Sequence, residues 1–222
     1  LGQEFAAYAS ATRAAAARIR QAANELLELG AGGNAIGTGI NTKPAFRAEI
    51  IRALQGESPH PFRVAADGIH ATQFMSSFAH VSAALRNAAF DLNQITNNLR
   101  LLASGPNTGL GEIRLPPVEP GSSIMPGKIN PSICEAVNMV CLHVQGLDHA
   151  VALACGAGQL ELNTHMPLIG AHTLQAAQLL TNAARTLAEK CVAGITADTA
   201  ACRRNLERSA ALLSANSREV RL

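Results

Sequence analysis

The sequence predicts an all-α protein, a bundle of long helices followed by the start of a small C-terminal helical domain. Its 222 residues are 48% apolar but only 3% aromatic, and they include no Trp. Alanine supplies much of the apolar content, which suits closely packed helices, and alternation is too rare for a substantial sheet. An apolar stripe at three- and four-residue steps runs through residues 67–104, roughly 55 Å of helix. A helix of that length needs long neighbours.

Periodicity and breaker residues place the individual helices. Pro44 suits the first turn of a short helix, Asp67 is an N-cap candidate, and Gly105 and Gly194 end helices. The predicted helices cover approximately residues 1–29, 44–54, 67–104, 132–155, 167–192 and 198–215. We expect a central bundle domain over residues 1–195 and a small domain, apparently truncated, over residues 196–222.

Composition excludes several classes of partner. A net charge of +2 favours neither nucleic-acid nor membrane binding, and no apolar run approaches the roughly 20 residues that span a bilayer. No signal-peptide pattern is visible either. The five cysteines are odd in number and contain no CxxC pair, so we expect buried, reduced thiols of a cytoplasmic protein. No metal-ligand cluster is apparent, and we expect no cofactor.

The run 121–131 (GSSIMPGKINP) is the candidate site. Two Gly, two Pro, two Ser and an Asn cannot propagate a helix, and a polar loop between stiff helices is a usual place for catalytic groups. Its hydroxyls, ammonium, carboxamide and free backbone N–H groups would suit an anionic substrate. A surface turn whose hydroxyls cap local N–H groups is the alternative.

Two better-known motifs do not fit this loop. Five residues rather than four separate Gly121 from the Gly127–Lys128 pair, and Ile129 stands where a phosphate-binding P-loop needs Ser or Thr. No Gly stands two residues after either serine, as a GxSxG nucleophile elbow requires. Anion binding combined with a base remains.

The loop resembles the GSSxMPxKxNP signature of the fumarase/aspartase superfamily. Other motifs agree in order along the chain: residues 1–5 (LGQEF), 35–42 (AIGTGINT), 101–106 (LLASGP), 158–163 (GQLELN) and 189–191 (EKC). The match is to part of a longer family chain. It implies homotetramers whose active sites combine regions of three subunits.

The resemblance also implies roles for the loop residues. Ser122 would be the base that removes a proton from the carbon next to a carboxylate. Because a serine hydroxyl is a very weak acid, its alkoxide needs loop amides and a nearby ammonium in a water-poor pocket. Lys128 and Asn130 would hold the substrate carboxylate, and Ser123 and Met125 would contribute backbone contacts.

Glu135 follows in the first turn of the next helix, where a carboxylate also favours the positive helix end. In the family, the equivalent glutamate lies close to a histidine of a Thr-His motif, and here the chain begins just after that motif. By position, none of the seven histidines replaces it. His165 is the most interesting of them because it adjoins Asn163 and a glycine-rich bend.

The resemblance implies elimination that releases fumarate from a small dicarboxylate or amino-acid substrate. Gly127 and Ile129 resemble the fumarase and aspartase branch, and residues 158–163 and 189–191 lean towards aspartase. L-Aspartate, which loses ammonia, is therefore favoured over L-malate, which loses water. The third hypothesis is a helical oligomerisation fragment without catalytic activity.

Overall fold

The chain is all-α, as predicted. A computed structural model describes residues 1–105, 107–119, 121, 124–125 and 128–210. The helices in this part of the chain are α1 (Gly2–Ala23), α2 (Phe46–Glu57), α3 (Gly68–Gln73), α4 (Ser76–Leu102), α5 (Ser132–Cys155), α6 (Met166–Lys190) and α7 (Thr199–Glu207). The strands have two residues each: β1 (Glu28–Leu29), β2 (Arg63–Val64), β3 (Ile113–Arg114) and β4 (Thr196–Ala197). β1 pairs with β2 in parallel, and β3 pairs with β4 antiparallel.

The first helix is shorter than predicted. α1 ends at Ala23, a 3₁₀ turn covers Asn24–Leu27, and β1 follows where the sequence predicted helix. The backbone of Leu29 is instead used for strand pairing, because its carbonyl accepts from the N–H of Ala65, 2.9 Å away. Pairing with a distant segment thus overrides the local helical preference.

The long helix predicted over residues 67–104 is broken in two. Asp67 is the N-cap of α3 as predicted, and its carboxylate accepts from two backbone N–H groups of the first turn, at 2.9 and 3.0 Å. Phe74 then adopts an extended conformation and is 55% exposed, so it is not part of the apolar stripe. Met75 is buried in its place. The carbonyl of Thr72 accepts from the N–H of Asn163 at 3.1 Å, which holds the end of α3 to a distant turn.

The later helices agree closely with the prediction. α5 begins and ends at the predicted residues, and α6 begins one residue early and ends two residues early. Asp198 is the N-cap of α7, where its carboxylate accepts from the N–H of Ala201 at 2.9 Å. α7 ends at Glu207, before the predicted end at residue 215, and residues 211–215 of that prediction lie outside the described residues.

The chain divides into two compact units. The first comprises residues 1–91 and 140–181, and the second comprises residues 92–139 and 182–222. In the first unit, Phe78 and Cys155 pack against a buried apolar cluster formed by Met75, Val151, Ala154 and Ile169. In the second unit, the buried side chains include Leu99, Ile113, Cys134, Val137, Leu187 and Cys191. The expected domains, residues 1–195 and 196–222, stay a prediction.

Membrane-spanning helices are absent from the described part of the chain. None of its helices combines the length and the apolar character that crossing a bilayer requires.

Candidate active site

The predicted loop lies in the second unit, between β3 and α5. The structure describes Gly121, Ile124, Met125 and residues 128–131 of it. The predictions for Ser122 and Ser123 therefore lie outside the described residues. The described part of the site comprises the base of the loop, its lysine and the helix that follows.

The two ends of the loop are held together by backbone packing. A Cβ added at Gly121 would overlap the carbonyl oxygen of Lys128, so only glycine permits this approach. The side-chain amide of Asn130 donates to the carbonyl of Gly121 at 3.1 Å, and the N–H of Lys128 donates to the carbonyl of Met125 at 3.2 Å. Asn130 thus closes the loop, a contact that the sequence did not predict.

Lys128 presents an exposed ammonium. No carboxylate of the described residues lies within ion-pair distance of it, whereas five arginine–carboxylate ion pairs form elsewhere in that part of the chain. An exposed ammonium without a protein counter-charge attracts anions, and the carboxylate-binding role of Lys128 stays a prediction.

Glu135 lies in the first turn of α5, as predicted. Its backbone N–H donates to the carbonyl of Pro131 at 3.0 Å, which starts the helix directly after the loop. Its carboxylate is paired with the guanidinium of Arg100, with 3.3 Å between Oε1 and Nη2. Both side chains are about half exposed, at 46% and 40%, so water screens the attraction and the pair mainly orients the carboxylate.

Arg100 also belongs to a polar network between α4 and α5 that was not predicted from the sequence. Asn138 accepts from Arg100 at 3.3 Å, and its amide donates to the Oδ1 of Asn93 at 2.8 Å and the Oγ1 of Thr96 at 2.7 Å. Thr96 is fully buried. The spacing of positions 93, 96 and 100 marks one polar face of a largely apolar helix, a signal that could have revealed the network.

A shallow open depression, which we call the Asn130 depression, adjoins the closed end of the loop. Its lining includes Leu115, Asn130, Cys134, Lys190 and Cys191. Lys190 is the other lysine of the second unit besides Lys128.

The histidines in helical segments occupy helices as predicted: His70, His80, His143, His149 and His172. His80 pairs with Glu25, with 2.7 Å between Nδ1 and Oε1. His165 is exposed, and its backbone N–H donates to the Oδ1 of Asn163 at 2.8 Å, which is a helix-start contact. In the described residues, no cluster of His, Cys, Asp or Glu could hold a metal ion.

Comparison with known proteins decides the family. A family model described as lyase matches residues 1–146. The chain belongs to this lyase family. It is 45% identical over 214 residues to an aspartate ammonia-lyase of Corynebacterium glutamicum, covering 96% of this chain and 41% of that protein. It is 41% identical over 215 residues to a class II fumarate hydratase of Bradyrhizobium diazoefficiens, covering 97% and 46%.

Solved structures of this lyase family confirm the helical fold and the resemblance drawn from the motifs. A fumarate lyase:delta crystallin from Brucella melitensis bound to cobalt superposes with a TM-score of 0.94 at 44% identity, over 99% of this chain and 48% of that one. A class II fumarase from Schistosoma mansoni gives 0.95 at 33% identity, over 99% and 49%. The chain thus spans about half the length of the relatives it matches.

Proposed function

We propose that the chain belongs to an enzyme that eliminates ammonia from L-aspartate and releases fumarate. The exposed ammonium of Lys128, set on a loop whose ends are held together, is the observation that carries this proposal. The preference for aspartate rests on the relatives, because aspartate ammonia-lyases reach 45–47% identity and fumarate hydratases reach 41–42%.

In the proposed reaction, Lys128 binds the substrate carboxylate next to the carbon that loses its proton. Ser122 removes that proton, and the electron pair passes into the carboxylate to give an enediolate-like intermediate. The carbon–nitrogen bond then breaks on the opposite face, so that ammonia leaves and fumarate forms. Lys128 stabilises the step because negative charge grows on the oxygens it already contacts.

The other loop residues have supporting roles in this proposal. Asn130 binds the substrate carboxylate with the amide hydrogen that its bond to Gly121 leaves free. Ser123 and Met125 contribute backbone contacts. Glu135 is kept in place by Arg100 at the start of α5 and completes the site from the helix side.

The active assembly is proposed to be a homotetramer in the cytoplasm, with sites shared between subunits. The relatives are about twice as long as this chain, which covers 41–46% of those just compared. The proposed site is completed by a histidine region that this chain does not contain. The second candidate reaction is dehydration of L-malate, which the fumarate hydratase relatives support. The third is an oligomerisation module that is inactive by itself.

The test is fumarate formation, followed by ultraviolet absorbance, with L-aspartate and L-malate supplied separately. We would assay the chain and the protein in its full natural length, and measure the mass of each assembly. Fumarate from aspartate supports the proposal, whereas fumarate only from malate selects fumarase. If the full-length protein turns over neither substrate, the lyase proposal is wrong.

The role of Lys128 is tested with Lys128→Met in the active form. Loss of a charge-stabilising donor lowers kcat by roughly 100-fold or more. Lys43→Met is the matched control, since Lys43 is also exposed but lies outside the loop. Ser122→Ala tests the base in the same assay. Retention of full turnover by Lys128→Met would contradict the proposed role of the ammonium.

A further inference from the structure

Two cysteines of the second unit lie side by side although 57 residues separate them in sequence. Cys134 is in the first turn of α5, and Cys191 directly follows the last residue of α6. Their Sγ atoms are 3.7 Å apart, close enough for one thiol to donate a hydrogen bond to the other. Both residues are buried, with 0% and 2% exposure.

The buried thiols lie next to a depression in the surface. Both cysteines contribute to the lining of the Asn130 depression, which opens to the surface and also includes Lys190. The two cysteines therefore lie directly beneath one surface depression, and a reagent reaches them there when the surrounding side chains move.

We propose that Cys134 and Cys191 form a thiol pair that a two-electron thiol oxidant closes into a disulfide. The disulfide would join the first turn of α5 to the residue after α6. It requires no large movement, because a sulfur–sulfur bond is about 2.05 Å long and the atoms need approach by roughly 1.7 Å. Rotation about the two side-chain bonds supplies movements of that size.

The contact between the two sulfur atoms shifts their pKa values in opposite directions. A hydrogen bond from the Cys134 thiol lowers the pKa of Cys191, although burial acts in the opposite direction, and the same contact raises the pKa of Cys134. Because thiolates rather than thiols attack oxidants, we write the first attack from Cys191.

Diamide, an azodicarboxamide, is a suitable two-electron oxidant for this pair. The Cys191 thiolate adds to one nitrogen of the N=N bond and forms a sulfur–nitrogen bond. The sulfur of Cys134 then attacks the sulfur of Cys191, the sulfur–nitrogen bond breaks, and the disulfide forms. The two thiols lose two electrons and two protons, and diamide becomes the corresponding hydrazine.

The other three cysteines have no such partner in the structure. Cys141 is buried, and burial raises its pKa to about 11. Cys202 directs its thiol to the carbonyl of Glu112, 3.6 Å away, and no cysteine sulfur lies within hydrogen-bond distance of Cys155 in the described residues. Oxidation should therefore select one pair and lower the number of alkylatable thiols from five to three.

The experiment is diamide oxidation of the native chain, quenching by alkylation, and digestion with a protease that cleaves after glutamate. The bond between Glu119 and Pro120 resists such a protease, so glutamates at 112, 135, 189 and 207 give a fragment 113–135, in which Cys134 is the one cysteine, and a fragment 190–207 with Cys191 and Cys202. We expect these two fragments to be joined in one dithiothreitol-sensitive species. The Cys202→Ala variant makes the assignment to Cys191 unique.

Two further variants are the controls. Cys191→Ala should abolish the joined species, and Cys141→Ala, which removes a buried cysteine without a sulfur partner, should leave its yield unchanged. If Cys191→Ala fails to fold, the Cys202→Ala digest decides by itself. Three outcomes would each overturn the proposal. The protein could keep four free thiols and carry a diamide-derived adduct, or Cys134 could be linked to a cysteine other than Cys191. The third outcome is no change in the pair at a diamide excess that oxidises Cys202. This outcome does not depend on whether the protein forms fumarate.

Discussion

Replacing Asp148 should destabilise the first unit more than any exposed charge change. Asp148 lies on α5 with a side chain only 8% exposed, and it accepts hydrogen bonds from two residues of α4. The hydroxyl of Ser82 donates to Oδ1 at 2.7 Å, and the guanidinium of Arg86 donates to Oδ2 at 2.9 Å. Arg86 also stacks over the ring of Phe90, with 5.7 Å from its Cζ to the ring centroid.

The size of the effect follows from burial. Removing one partner of a buried ion pair costs about 3–5 kcal/mol, and here the 2%-exposed Ser82 also loses its acceptor. Arg86 is 36% exposed, so water partly replaces its lost partner. We therefore expect Asp148→Ala to lower the free energy of unfolding by about 3 kcal/mol.

The measurement is urea unfolding followed by circular dichroism and analysed by linear extrapolation. Asp91→Ala is the matched control, because Asp91 pairs with Arg18 at 3.2 Å but their side chains are 34% and 53% exposed. An exposed pair contributes about 0–1 kcal/mol. Arg86→Met, made both in the parent protein and in the Asp148→Ala variant, completes a double-mutant cycle for the pair of Arg86 and Asp148.

Two results would refute this reasoning. Asp148→Ala could shift the free energy of unfolding no more than Asp91→Ala does, in which case burial does not amplify the pair. The cycle could also give a coupling energy near zero, in which case Arg86 and Asp148 do not stabilise one another.

Two further predictions concern backbone packing and pH. Gly37→Ala should lower the free energy of unfolding by about 2–3 kcal/mol, because φ of Gly37 is +87° and a Cβ there would overlap the carbonyl of Gly68. The control is Gly56→Ala in α2, where the added Cβ meets open space. This control should be neutral or stabilising in the same urea assay. A backbone N–H of the first turn of α7, together with Arg114, holds the pKa of Asp198 below its ordinary value of 3.8. The ionised carboxylate of Asp198 therefore stabilises the fold at pH values above 3.8. Asp198→Ala should therefore lower the urea midpoint at neutral pH, and the difference should shrink as the pH falls through the folded pKa. A difference that persists in acid would contradict this account.

Local signals located the helices well where the chain itself ends them. Pro131 and Ser132 fix the start of α5, and Gly156 follows its last residue, so this helix was predicted to the residue. The break between α3 and α4 has no proline or glycine at Phe74 or Met75. A hydrogen bond from a distant turn to the carbonyl of Thr72 accompanies the break, and periodicity does not reveal such a contact.

In the candidate site, too, local features could be predicted from the sequence and contacts between distant segments could not. The composition of residues 121–131 identified the loop and its lysine because those properties are local. The pairing of Glu135 with Arg100 links two helices, and its sequence signal is only the polar spacing on α4. The contact between Cys134 and Cys191 joins positions 57 residues apart, and no periodic pattern encodes such a contact.

Lys128 contributes to the folded loop through its backbone and to the proposed chemistry through its side chain. Its backbone carbonyl packs against Gly121, and Asn130 ties the same two ends together, whereas its side chain is exposed and has no ion-pair partner among the described residues. The ammonium therefore contributes little to stability, and Lys128→Met should unfold at the same urea concentration as the parent. Its loss of turnover would then report charge stabilisation alone. A substitution at Gly121 would not permit that conclusion, because it displaces the backbone that positions the lysine.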